Sequence, residues 1–287
     1  MPIPALRDAP DTSLGRRPLR ATSTHVDEPG TDALDRIVPA PFHLTTHMVE
    51  TDRVTRWPLH THAEHELIWS DRGVVTMIVD DRLWTVTPGV GLWIPHGVAH
   101  EGQADPHVKF RATLFTPELW TPSWLGPCVV TLSEAARALL MHLAHTGMPA
   151  EQRLRAQKVC IDLLEPTIDP HFDVPIPRDP RLQPLVTRVL SDPSDDRSLD
   201  QWADLLNLSR RTVTRIFAAE LAMSFVQWRT LTRMSAALGL LGTGMSVGNV
   251  GRRVGYRTPS SFIAAFRRTV GRTPGSTDVD WPVVDIH

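Results

Sequence analysis

From Phe42 to Phe115 the chain alternates short β-prone runs with polar turns. "FHLTTHMVETDRV" opens the series, "HVKFRATLF" closes it, and "SDRG", "VDDR", "TPGVG" and "PHG" punctuate it. Runs of this length without a helical period predict an antiparallel sandwich or barrel. Within "GVVTMIVDDRLWTVTPG", "VDDR" joins two runs as a hairpin. After "TPELWTPSWLGP" (116–127) the period changes. "SEAARALLMHLAHTG" has a Ser before an apolar 3.6-residue period and a Gly at its end, and "AEQRLRAQKVCIDLLEP" is a second helix stopped by Pro166. "PTIDPHFDVPIPRDP" (166–180) is Pro-dense and reads as the linker.

The rest is helical and carries one plan twice: a short helix, a tight turn, a longer basic helix. In the first copy Leu199, Trp202, Ala203 and Leu206 form one side of the short helix. Ser209 caps the next, whose Val213, Ile216, Phe217 and Leu221 recur at buried-face spacing. Arg210, Arg211, Thr214 and Arg215 are left facing outward. In the second copy "VGNVGRRV" is the short helix and "SFIAAFRRTV" the long one, with Phe262, Ile263, Phe266 and Val270 as core. Ser260, Ser261, Ala264, Arg267 and Arg268 face outward there. An arginine-faced helix N-terminus suits the major groove of double-stranded DNA, where guanidinium forks pair with guanine or phosphate. "SFVQWRTLTRMSAALGL" (224–240) joins the copies as one helix of roughly 25 Å.

Charge sharpens the division. The chain of 287 residues has a net charge of only −2. Residues 197–273, however, hold twelve Arg and three carboxylates, a net of +9, which leaves −11 for the remainder. One end of the molecule is therefore suited to a polyanion. Two cysteines, Cys128 and Cys160, make no disulfide framework or zinc knuckle. No apolar run reaches 18 residues, and "MPIPALRDAPDTSLGRRPLR" lacks a secretory apolar region, so a cytoplasmic protein with no membrane partner is expected.

The chemistry of the acidic end is concentrated in "HTHAEHELIWSDRG" (60–73). If this segment is one continuous strand, His60, His62 and Glu66 share a face and His65 points the other way. Two imidazoles and a carboxylate leave open coordination positions suited to Zn, Fe, Ni or Mn. "GVGLWIPHGVAH" (89–100) offers His100 as a fourth ligand. His65, His96 and His107 are expected at the surface or rim, and His142 and His145 on a solvated helix face.

"LSRRTVTRIFAAEL", "SFVQW" and "VGYRTPSSFIAAFRRTVGRTPG" resemble the AraC/XylS family of transcription regulators over roughly residues 182–276. Gly248 and Gly251 in the second short helix depart from its pattern. His60, His62, Glu66 and Gly73 match the first motif of the cupin barrels, and Gly89, Pro95, Gly97 and His100 the second, with Ala104 where an asparagine often stands. The cupin resemblance implies His60, His62, Glu66 and His100 as the metal set, and regulators of the AraC type often carry such a barrel as effector domain.

The expected fold is thus α+β and multidomain. A disordered segment (1–38) precedes an N-terminal antiparallel β-barrel of cupin/jelly-roll type (39–125) that senses an effector. A helical dimerisation segment and Pro-rich linker (126–177) follow, then an all-α AraC-type DNA-binding module (178–280) with helix-turn-helix units at about 199–220 and 247–270. The expected function is a homodimeric, sequence-specific DNA-binding regulator rather than an enzyme. Three readings of the barrel stay open: a metal sensor, a sensor of a small organic molecule without metal, and a metalloenzyme of the dioxygenase or isomerase type carrying a DNA-binding domain.

Overall fold

The computed structural model describes residues 38–120, 124, 126–144, 147–167, 173–271 and 273–275. The expectation of disorder for residues 1–38 falls almost wholly outside that set, and His145 lies outside it too.

Among the described residues, eleven strands form two antiparallel sheets. The first runs β1 (Leu44–Glu50), β8 (Lys109–Phe115), β3 (His65–Arg72), β6 (Val90–Ile94), β9 (Cys128–Thr131), β10 (Glu165–Thr167). The second runs β11 (Asp173–Pro175), β5 (Arg82–Val86), β4 (Val75–Val79), β7 (His100–Ala104), β2 (Thr55–His60). This is the jelly-roll architecture expected. The hairpin at "VDDR" forms because Asp80 and Asp81 adopt φ of 51° and 56°, the left-handed pair that a two-residue hairpin turn demands.

Strand β3 is buried from His65 to Ser70 because both its faces are covered. Ile68 packs into the space between the sheets. Leu67 and Trp69 face outward against α1 (Glu134–Leu143) and α2 (Ala150–Asp162), meeting Ala136, Leu140, Leu143, Cys160 and Ile161. Ser133 caps α1 by accepting from the Ala136 N–H at 3.1 Å. The buried Gln157 side chain takes the His43 N–H (2.8 Å) and donates to the Leu44 carbonyl (2.9 Å), tying α2 to the head of β1.

The segment 126–177 differs from its expected role as helices and linker. It also supplies β9, β10 and β11, so it completes both sheets instead of standing apart from them. These strands are three or four residues long and two of them contain proline, which is why no strand pattern shows in the sequence.

The helical module comprises α3 (Gln183–Ser191), α4 (Leu199–Leu205), α5 (Arg210–Leu221), α6 (Phe225–Gly242), α7 (Val247–Arg253) and α8 (Pro259–Val270). Capping boxes open α4 (Ser198, Gln201) and α6 (Ser224, Gln227), and Ser209 caps α5 as expected. Helix α6 spans 18 residues, about 27 Å at 1.5 Å per residue. It packs between the two units and against the second sheet. There the Trp228 indole N–H donates to the Pro175 carbonyl (2.8 Å), the Ser235 and Thr85 hydroxyls hydrogen-bond, and Gly239 and Gly242 face Val74. The layers thus run α1/α2, first sheet, second sheet, α6.

Gly251 is required by packing. A Cβ there would sit 3.0 Å from the Cβ of Phe262, so the glycine lets α7 approach α8. Gly248 has no neighbour that a Cβ would meet within 4 Å. In the core of α8, Phe262, Phe266 and Val270 are buried as expected, but Ile263 is exposed and Ala265 takes its place. The buried stripe follows i, i+3, i+4 and i+8 from Phe262, and Ile263 lies about 100° around the helix from it.

Candidate functional site

The segment that carries the histidines is not one strand. β2 ends at His60 in the second sheet, residues 61–64 cross over, and β3 begins at His65 in the first sheet. Strand parity therefore does not set the direction of His60 and His62. The crossing does, and it brings His62 against Glu66 and His100. His100, at the start of β7, is the cross-strand partner of His60, and Glu66 points inward from β3.

Candidate metal-ligating atoms of His60, His62 and His100 all lie within 4.8 Å of one another. The Glu66 Oε2 is 3.0 Å from His62 Nε2 and 3.2 Å from His100 Nε2, with the Glu66 side chain only 2% exposed. Each ring is held from behind by a backbone carbonyl: His60 Nδ1 by Pro58 (2.8 Å), His62 Nδ1 by Glu64 (2.8 Å), His100 Nδ1 by Val98 (2.9 Å). A carbonyl only accepts, so Nδ1 carries the proton in all three, and a neutral ring leaves Nε2 with a lone pair.

That tautomer sets up the chemistry. Two lone-pair nitrogens within 3.2 Å of a carboxylate oxygen, buried from water, need a proton or a cation between them. The His100 Nε2 contact with Glu66 makes no hydrogen bond by its geometry, although it falls within ion-pair distance. Three imidazoles with fixed tautomers and one carboxylate are a donor set that fits a divalent transition metal.

The space beside this set is small. Trp57, Met77, Phe110 and Ile68 fill the lumen and leave a cavity of about 40 Å³ that His60, Glu66 and His100 border. Gly102 belongs to the same packing, since a Cβ there would meet Met77 Sδ at 2.7 Å. Small organic ligands generally occupy some 300–1,000 Å³. The larger space is elsewhere: a cleft of about 1,100 Å³ between the outer face of the second sheet (Thr76, Thr85, Glu101, Gln103) and the helical module (Leu190, Ser194, Ser235, Gly239).

Of the other histidines, His96 and His107 are exposed as expected. His65 is not at the surface. It is buried, stacked on Trp93 at 4.9 Å, and accepts the His96 N–H on Nδ1 at 3.0 Å. Burial first, then the nearby His96, pulls its pKa down to about 4.

At the basic end, Arg211, Thr214 and Arg215 stand exposed on the first turns of α5. Arg210 is exposed too but reaches back to Asp200 on α4 (3.1 Å). On α8, Ser260 and Ala264 are exposed on the first turns, whereas the Ser261 hydroxyl is engaged with Thr258 in the cap. Arg267 and Arg268 are exposed in the last turn.

Sequence reasoning missed Ile263 on this face, and it missed the role of Arg233. The Arg233 guanidinium donates to the carbonyls of Pro193 (2.9 Å) and Asp195 (3.1 Å) and packs over Tyr256, tying α6 to the segment between α3 and α4 and to the turn of the second unit. Gly255, at φ 86°, makes room for it, since a Cβ there would meet Arg233 Nη2 at 2.9 Å. The Arg–Gly pair carried no recognisable spacing in the sequence.

Known proteins give these two sites a context. The profile of the AraC-like ligand binding domain matches residues 48–160, and that of a helix-turn-helix domain matches residues 202–278. The chain is 31% identical over 228 residues to the HTH-type transcriptional regulator NimR of Escherichia coli, covering 78% of this chain and 83% of that protein. The chain belongs to the AraC family of transcriptional regulators.

The HTH-type regulator RipA of Corynebacterium glutamicum is 29% identical over 216 residues, 73% of this chain and 60% of RipA. Among solved structures, the C-terminal domain of AraT, a response regulator from Geobacillus stearothermophilus, is 30% identical over 33% of this chain and 81% of that one, with a TM-score of 0.32. The protein thus joins a ligand-binding domain to a DNA-binding domain, and the relatives it matches are regulators rather than enzymes. No helix among the described residues is long and apolar enough to cross a membrane.

Proposed function

We propose that this regulator senses a divalent transition metal through His60, His62, Glu66 and His100, and that occupancy of this site controls how α5 and α8 meet promoter DNA. The observation that carries the reading is the set of three Nδ1-anchored imidazoles with ligating atoms within 4.8 Å of one another, two of which, His62 and His100, hold Nε2 within 3.2 Å of one buried carboxylate. When bound, the ion supplies the positive charge that Glu66 and the lone pairs call for. The protein fixes the tautomers, shields the site from water and holds the two sheets together across it.

The first turns of α5 and α8 enter the major groove, with Arg210, Arg211, Thr214 and Arg215 from the first unit and Ser260, Ser261 and Ala264 from the second. In that arrangement Arg267 and Arg268 meet phosphates. The route between the sites is short. β7, which begins at His100, pairs with β4, and β4 with β5, whose Thr85 bonds Ser235 on α6. A metal shifts the DNA-binding equilibrium only by its differential affinity for the two arrangements of α6 against the sheet. The effector is bound and not turned over, and a homodimer would present two such modules to an operator.

Metal content of the purified protein, measured by mass spectrometry after purification without a chelating resin, tests the proposal. About one ion per chain in the wild type and a loss in His62→Ala is the expected result. Wild-type protein that takes up no Zn, Ni, Mn or Fe(II) on equilibrium dialysis sinks it. A second reading rests on the interdomain cleft, whose volume suits a small organic effector as the lumen does not. Consumption of a small substrate by metal-loaded protein would instead favour a metalloenzyme.

A further inference from the structure

The recognition helices of the two units align with one constant offset of 49 residues. Ser209 and Thr258 cap them, and Ala222 and Gly271 close them in the left-handed conformation. Val213, Ile216 and Phe217 fall on Phe262, Ala265 and Phe266, all buried. Caps and burial fix this alignment, so the outward positions of the two helices can be compared one by one.

Their chemistry is inverted. On the first two turns of α5 the exposed positions are Arg210, Arg211, Thr214 and Arg215, and the equivalent exposed positions of α8 are Pro259, Ser260, Ile263 and Ala264. One turn later the order reverses: Ala218 and Ala219 are exposed on α5 where Arg267 and Arg268 are exposed on α8. Ile263 stands where Thr214 stands, and among the described residues its side chain is one of eight large apolar ones at the surface, 36% exposed.

We propose that the two units read DNA by opposite means. Helix α5 reads guanine with guanidinium forks, while α8 reads thymine through methyl contacts made by Ile263 and Ala264. The thymine C5-methyl is the apolar group on the major-groove edges, and an aliphatic side chain offers nothing to the donors and acceptors of G·C pairs. Arg267 and Arg268, on the last turn, sit beyond the reading turns and hold the phosphate backbone. The operator is therefore asymmetric, a guanine-bearing segment under α5 and a thymine-bearing segment under α8. This rests on the reading that the first turns of both helices lie in the major groove.

A duplex selected from a random pool by the wild-type protein provides the probe. Each thymine is replaced singly by uracil, which removes only the methyl, and each guanine singly by adenine. Uracil at one or two positions of the α8 segment should weaken wild-type binding about fourfold each, the effect of exposing roughly one buried methyl. Ile263→Ala should lose that sensitivity at one position and bind the uracil and thymine duplexes of that position alike. Arg211→Ala should weaken binding to the selected duplex roughly 5- to 160-fold and lose discrimination at one guanine. A wild-type protein indifferent to every thymine methyl overturns the inference, as does methyl sensitivity left unchanged at every position in Ile263→Ala. If Arg211→Ala loses its guanine but no methyl matters, only the account of α8 falls. If neither variant changes sequence preference, the placement of both helices in the groove falls with it.

Discussion

Two glycines of α7 should respond to the same substitution with opposite signs. Gly251→Ala puts a methyl 3.0 Å from Cβ, 3.1 Å from Cγ and 3.2 Å from Cδ1 of Phe262. Carbon atoms are comfortable at about 3.5–4.0 Å. Phe262 has no room to retreat, being fully buried between Phe266 and Tyr256. Overpacking of this kind costs about 1–3 kcal/mol. Alanine recovers about 0.5–1 kcal/mol through helix propensity, so the net loss should be up to about 2.5 kcal/mol. Gly248→Ala makes the same propensity gain with nothing to meet, and should stabilise by about 0.5–1 kcal/mol. Urea and thermal melts of the full chain read both, with a shift of about 2–4 °C per kcal/mol for a protein of this size class. Because Phe262 anchors α8, Gly251→Ala should also weaken DNA binding while Gly248→Ala leaves it unchanged. Equal stabilisation by the two variants would refute the close approach of α7 and α8.

Asp71 accepts from Arg111 (3.0 Å) and Arg137 (3.2 Å) with its side chain 10% exposed, so Asp71→Asn leaves Arg111 buried with its charge uncompensated. A loss of roughly 3 kcal/mol in urea denaturation is expected, and a change below about 1 kcal/mol would contradict it. In DNA titrations against salt, log K should fall linearly with log salt concentration. Arg267→Ala and Arg268→Ala should each flatten the slope by about 0.9, the release of one phosphate's counterions. Slopes identical to wild type in both variants would remove those residues from the backbone contacts.

How much of this was legible in the sequence varies with the range of the interaction. The helix-turn-helix units could be read because caps and apolar spacing are local. Ser209 caps α5, and Val213, Ile216 and Phe217 are buried. Ile263 was misjudged because a run of apolar residues does not say where a buried stripe ends, whereas Ala265, small enough for any position, lies on the stripe. At the barrel, His60, His62 and His100 lie together and Glu66 contacts two of them, but not by the strand parity that grouped His60, His62 and Glu66. The chain changes sheets between His60 and His65, and a motif that bridges two sheets has no period to reveal it. The Nδ1 anchors were hidden for a different reason. They are bonds to backbone carbonyls two residues away, so they depend on conformation and not on residue type. The docking of α6 on the second sheet was equally silent, since Ser235 and Thr85 meet across 150 positions.

The central claim is that metal at the four-residue site changes DNA binding. Fluorescence anisotropy on the selected duplex, with metal-free protein and then with one equivalent of Zn, Ni, Mn or Fe(II), measures it directly in wild type and His62→Ala. For at least one of these metals the wild-type Kd should move about 5- to 150-fold, the usual span of an allosteric coupling, and the His62→Ala Kd should not move. A wild type that binds metal stoichiometrically yet keeps one Kd would contradict the account, and so would a shift of equal size in His62→Ala.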